Sequence, residues 1–101
     1  MEAGADLEKQ ENAGFTALMW SCQNGHVECA RALVEAGSNV NHENQKHVTA
    51  LNMACEEGHT ACALLLLRAG ARSDVKDDWG DTPLLIAQKK GMSEVLTLMG
   101  A

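Results

Sequence analysis

At 101 residues the chain has the length of one small domain, and its longest apolar run, the Ala-Cys-Ala-Leu segment ending at Leu67, falls far short of the roughly 18 residues that span a bilayer. Hydrophobic residues make up 46% of it and aromatics only 3%, so the interior must be built from Leu, Ala, Val, Met and Cys, which suits thin layers of close-packed helices. A net charge of −6, from 14 acidic against 8 basic residues with no basic cluster, argues against nucleic-acid binding and for a basic or apolar protein partner.

Met1 is followed by Glu2 and Asp6 instead of a basic start and an apolar stretch, so an intracellular chain, cytoplasmic or nuclear, without membrane insertion is expected. Ala3-Gly4 stands 33 residues before Ala36-Gly37, which stands 33 before Ala69-Gly70. The opening segment, 1–10, therefore reads as the tail of a preceding repeat, and the chain as a piece cut from a longer array. Exposed apolar residues in the first and last units are then expected to be scars of missing neighbours, with a monomer expected apart from contacts through those ends.

The unit itself starts at Thr16 and returns at Thr49 and Thr82, a 33-residue period that signals stacked supersecondary units. Each Thr is a candidate N-cap, its hydroxyl accepting from an orphan amide, and Pro83 suits the first helical position of the third unit. A short helix follows with Leu18, Ser21 and Cys22, then Leu51, Ala54 and Cys55, on one narrow stripe. Gly25, Gly58 and Gly91 stop these helices. The second helices place Cys29, Ala32, Leu33 and Ala36, then Cys62, Leu65, Leu66 and Ala69, at helical spacing, which predicts a core seam through all eight. Gly37 and Gly70 close them, and polar connectors with Gly14 and Gly80 as turn residues lead to the next Thr.

With Gly80, Thr82, Pro83, Leu84, Ala87 and Gly91, and with Gly58-His59 and Gly70-Ala71, the chain resembles the ankyrin repeat family over its whole length. The resemblance implies an all-α repeat solenoid of stacked helix-turn-helix units joined by hairpin loops. The expected organisation is one domain over 1–101, with repeats at 11–43 and 44–76 and a shortened or truncated terminal repeat at 77–101. His47 departs from the pattern by standing where Gly14 and Gly80 stand, so it is expected at positive φ. Met19, Asn52 and Leu85 replace the family histidine that bonds between hairpins, which puts that bonding in question.

Cys22, His26 and Cys29, repeated as Cys55, His59 and Cys62, have the spacing of soft metal ligands. Packing is the stronger reading: the resemblance makes Cys22 and Cys55 small buried residues and the histidines part of the Gly-His signature. All four cysteines are expected inside as free thiols, with no metal and no cofactor. His42 and His47 have no nucleophile placed with them, and no phosphate loop or dinucleotide fingerprint occurs, so no catalytic residue is assigned. Asn41 resembles the ankyrin-repeat asparagine open to oxygen-dependent hydroxylation, although Asp74 replaces it one repeat on.

Binding is where the copies differ. In this family hairpin tips and first helices line a concave face, which here implies Asn12, Ala13 and Phe15, then Gln45, Lys46 and Val48, then Asp78, Trp79 and Asp81 at the tips. The helix ends add Gln23, Asn24, Glu56, Glu57, Lys89 and Lys90. Trp79 beside Asp77, Asp78 and Asp81 could receive a Lys or Arg by cation–π contact and charge, or simply pack on a neighbouring hairpin. Asp77 is expected to serve the hairpin itself, and Trp20 to be a packing residue like its counterparts Met53 and Ile86. Leu64 is expected on the solvent side, and Glu56-Glu57 to pair with Lys89-Lys90 of the next repeat.

These features imply a non-enzymatic protein–protein interaction module binding a peptide or folded protein. The alternative is a regulatory or autoinhibitory domain acting in cis on an enzyme or channel. The irregular Met19, Asn52, His47 and four Cys argue against a consensus-designed scaffold.

Overall fold

The computed structural model describes residues 14–100. The reading of 1–10 as a repeat tail, and the tip positions Asn12 and Ala13, lie outside the described residues. Six helices follow in order: α1 Ala17–Gln23, α2 Val27–Glu35, α3 Ala50–Glu56, α4 Thr60–Arg68, α5 Pro83–Lys89 and α6 Ser93–Met99. No strand occurs among the described residues.

Each first helix begins where a threonine hydroxyl takes up an orphan amide. The Thr16, Thr49 and Thr82 Oγ1 atoms accept from the N–H groups of Met19, Asn52 and Leu85 at 3.3, 3.2 and 3.1 Å. Pro83 occupies the opening turn of α5, where its missing N–H costs nothing. Gly25, Gly58 and Gly91 end these helices at φ of 75°, 74° and 64°, a conformation a β-carbon opposes.

Helices pair within a repeat as α1 with α2, α3 with α4 and α5 with α6. Across repeats α3 packs between α1 and α5, and α4 between α2 and α6, giving two layers of three helices. The first layer buries the small Cys22, Ala54, Cys55 and Ala87, which let backbones approach closely, beside the larger Leu18, Met19, Leu51, Met53 and Ile86.

The seam of the second layer differs from the sequence expectation. Its buried residues are Ala30 and Leu33 in α2, Cys62, Ala63 and Leu66 in α4, and Val95 in α6. Ala32 is exposed and Leu65 only half-buried, while Ala36 and Ala69 are C-caps beyond the last turn and face solvent.

Position in the stack accounts for three more differences. Cys29 is exposed although Cys62 and Val95, its counterparts, are buried, because α4 and α6 each pack on the second helix before them. Trp20 is 47% exposed where Met53 and Ile86 are buried, because α3 and α5 each pack on the first helix before them, whereas among the described residues no first helix precedes α1. Leu64, by contrast, is half-buried against the core, since α4 is flanked on both sides; its counterparts Arg31 and Thr97 are exposed.

Candidate functional site

The two connectors described in full each turn on one side chain. Asp77 Oδ1 accepts from the N–H groups of Trp79 and Asp81, both at 2.9 Å, while the Asp77 N–H donates to Asp81 O at 2.9 Å. Asn44 does the same one repeat earlier: its Oδ1 accepts from Lys46 and Val48 at 2.8 and 3.0 Å, and its N–H donates to Val48 O at 3.0 Å. These self-bonded turns set the backbone, as expected for Asp77, and leave the side chains of Lys46 and Trp79 free of that task. The turn's fourth position requires the left-handed region, where Gly80 has φ 83° and His47 φ 61°. His47 is held there with Nδ1 3.1 Å from Glu43 Oε1 and Nε2 3.9 Å from Asp78 Oδ1.

Successive connectors are stitched without the family histidine. The Asp78 N–H donates to Lys46 O at 3.0 Å, and the His42 Nε2–H donates to Gly14 O at 3.1 Å. Asn41 joins two connectors with both ends of its amide: Nδ2 donates to Gly70 O at 3.3 Å, and Oδ1 accepts from the Arg72 N–H at 2.8 Å.

The self-bonded turns above and the first helices behind enclose a groove of about 540 Å³. Its floor is the buried set Asn44, Asn52, Met53 and Ile86. Phe15, Val48 and Trp79 supply apolar surface, and Trp79 is 68% exposed. Gln23, Lys46, Glu56, Glu57, Asp77 and Asp81 complete the lining, four carboxylates against one ammonium.

Of the positions expected from sequence, Phe15, Gln23, Lys46, Val48, Glu56, Glu57, Trp79 and Asp81 come together here; Asn24, Gln45, Asp78, Lys89 and Lys90 do not line the groove. Asn24 Nδ2 donates to Trp20 O at 2.8 Å and so caps α1. Lys89 Nζ lies 3.0 Å from Asp81 Oδ1 in its own repeat, and among the described residues Glu56 and Glu57 form no ion pair. The expected pairing between neighbouring repeats is replaced by this one, and Lys90 lines a separate shallow depression with Thr60 and Glu94.

Sequence reasoning missed the floor and one carboxylate of the rim. Asn44, Asn52, Met53, Asp77 and Ile86 line the groove, yet Met53 and Ile86 are hydrophobic at core spacing and Asn44 and Asp77 have turn duties. The one usable signal was the departure at Asn52. That residue is 2% exposed; Thr49 Oγ1 donates to its Oδ1 at 2.7 Å, and its Nδ2 has no acceptor among the described residues.

The four cysteines are free thiols, Cys29 exposed and Cys22, Cys55 and Cys62 buried. Burial pushes the Cys22 and Cys55 thiols up to about 12, with Cys62 beside Cys22 and Glu56 beside Cys55 adding to the effect. Among the described residues no group of three His, Cys, Asp or Glu side chains is placed to hold a metal ion. No helix among them is long and apolar enough to cross a membrane.

The comparisons with known proteins agree with this architecture. None of the curated proteins compared with the chain matches it. Among solved structures it is similar to a crystallised ankyrin repeat domain from Acinetobacter baumannii, at 40% sequence identity and a TM-score of 0.88. That alignment covers 95% of this chain and 52% of the other, so this chain spans about half the length of that neighbour. Ankyrin repeats are in general protein–protein interaction modules and typically non-enzymatic. The family model described as ankyrin repeats (3 copies) matches residues 1–77, and with the two-layer stack of six helices it shows that the chain belongs to the ankyrin repeat family.

Proposed function

We propose that this chain is a non-enzymatic module that binds a protein or peptide, basic or apolar in character, through the concave groove between its hairpin turns and first helices. The observation that carries this reading is Trp79: an indole 68% exposed at the groove, on a turn whose geometry Asp77 fixes without it. Aromatic side chains dominate interface energetics, and here the ring is not needed for packing. Four free cysteines fit an intracellular setting, cytoplasmic or nuclear.

Affinity capture from cells with the chain and with a Trp79→Ala, Glu56→Gln variant tests the reading. The expected result is a set of partners recovered by the first and lost with the second, at unchanged helical circular dichroism. Equal recovery of every captured protein by both would overturn it.

A further inference from the structure

We propose that this chain stacks head to tail on a second copy of itself, the outer face of α5 and α6 in one copy receiving the outer face of α1 and α2 in the next. The first observation is that both halves of the repeat-to-repeat interface stand open on one molecule. On the trailing half, Leu84, Leu96 and Met99 are half-buried and Leu85 is 40% exposed. Their counterparts in the first repeat, Leu18, Ala30, Leu33 and Met19, are all buried, because α3 and α4 cover α1 and α2. On the leading half, Trp20, His26 and Cys29 are exposed. Ile86, Met92 and Val95, at the same positions of the third repeat, are buried where α5 and α6 pack on α3 and α4. The outer face of a repeat stack that stands in water is polar, whereas this trailing face presents leucines and a methionine.

The second observation is a fitted contact, closed between the first two repeats and open on the two outer faces. His59 lays its ring against Gly25 of the repeat before it, and its Nε2–H donates to Gln23 O at 3.1 Å. Met92 replaces that histidine in the third repeat, and nothing stands within 4 Å of a β-carbon at Gly58, so the contact belongs to histidine. Gly91 offers the same notch again, at φ 64° with nothing within 4 Å of its β-carbon position, and Lys89 supplies the carbonyl at the register of Gln23. His26 offers the same ring again, exposed and making no cap hydrogen bond. Setting α1 and α2 of one copy on α5 and α6 of another, in the register the chain already uses, seats His26 over Gly91 with Nε2–H directed at Lys89 O. The same step buries Trp20 as Met53 and Ile86 are buried, and Leu85 as Met19 is. Pairing two trailing faces with each other would cover the leucines but leave His26 and Trp20 of both copies in water. The two faces of the head-to-tail contact differ, so it repeats along an open stack instead of closing as a dimer.

Sedimentation of the full chain over a range of concentrations tests this, beside Trp20→Lys, Leu85→Lys and a mixture of the two variants, with helical circular dichroism checked for each. The expected result is a parent whose mass grows with concentration past the dimer, and two variants that are each monomeric alone. The mixture should form a one-to-one dimer, because Trp20→Lys keeps its trailing face and Leu85→Lys its leading face. In that mixture the Gly91 amide cross-peak of isotopically labelled Trp20→Lys should move. Adding His26→Ala to Leu85→Lys should weaken the pair about fivefold, the worth of one hydrogen bond. A parent that stays monomeric at every concentration overturns the proposal. So does a Trp20→Lys chain that dimerises by itself, which is the signature of two trailing faces paired. A mixed dimer in which the Gly91 peak stays still overturns the register.

Discussion

The imidazole of His59 occupies the space a side chain on Gly25 would need. A β-carbon there would lie 2.8 Å from His59 Cε1, and the ring is held by its Nε2–H donating to Gln23 O at 3.1 Å. His59 thus closes the end of α1 from the next repeat, which gives the Gly-His pair a physical meaning: the glycine ends one helix and makes room for the following repeat's histidine.

Gly25→Ala and Gly58→Ala separate these two duties. Both positions have positive φ, but nothing lies within 4 Å of a β-carbon at Gly58. Gly58→Ala should cost about 1 kcal/mol for the left-handed backbone alone. Gly25→Ala should cost about 1–2 kcal/mol more, because the His59 bond must also be displaced. Urea unfolding of the two variants checks this, and equal midpoints would contradict it.

His47 is the non-glycine residue at positive φ, 61°, among the described residues. His47→Gly should raise stability by about 0.5 kcal/mol, the relief of backbone strain exceeding the lost exposed contact with Glu43 and the added chain entropy. His47→Val should lower it by about 1–2 kcal/mol, since a β-branched residue resists this region most. Thermal unfolding of both variants reads the sign directly.

Asn41→Ala removes both side-chain hydrogen bonds from the α2–α3 connector to the α4–α5 connector. A loss of about 1–2 kcal/mol is expected, together with faster hydrogen exchange at the Arg72 amide. Asn41→Asp keeps the acceptor for Arg72 and loses the donor to Gly70, so it should protect the Arg72 amide while remaining less stable than the parent.

Alkali should destabilise the fold through its buried thiols. Cys22 and Cys55 are raised from an ordinary 9.0 to about 12, so between those values the folded chain holds protons that the unfolded chain has released. Their stabilising contribution is full below pH 9.0 and is lost as pH rises towards about 12, with a slope approaching about 1.4 kcal/mol per pH unit for each thiol. In Cys22→Ala this slope should flatten relative to the parent. Alkylation near pH 8 should label exposed Cys29 first, and Cys22 and Cys55 only on unfolding.

The groove was partly legible from sequence because its variable residues are those that packing leaves free. Phe15, Lys46, Val48 and Trp79 differ between copies that otherwise match, and the structure brings them to one face. Lys89 shows the limit of that reasoning: spacing put it near Glu56 and Glu57, yet its long side chain reaches Asp81 in its own hairpin. Side-chain reach within a repeat cannot be read from a period.

Periodicity by itself determined the repeat, the threonine caps, the glycine stops and the left-handed turn at His47, because each depends on backbone geometry within a few residues of chain. Whether a given face is covered depends on what lies alongside it, and that only the tertiary structure decided. Trp20 and Met53 share a register but not an environment; so do Cys29 and Cys62, and Arg31 and Leu64. Helical spacing states which way a side chain points, while the hydrophobic gain comes from the neighbour that removes it from water, and in a stack that neighbour belongs to another repeat.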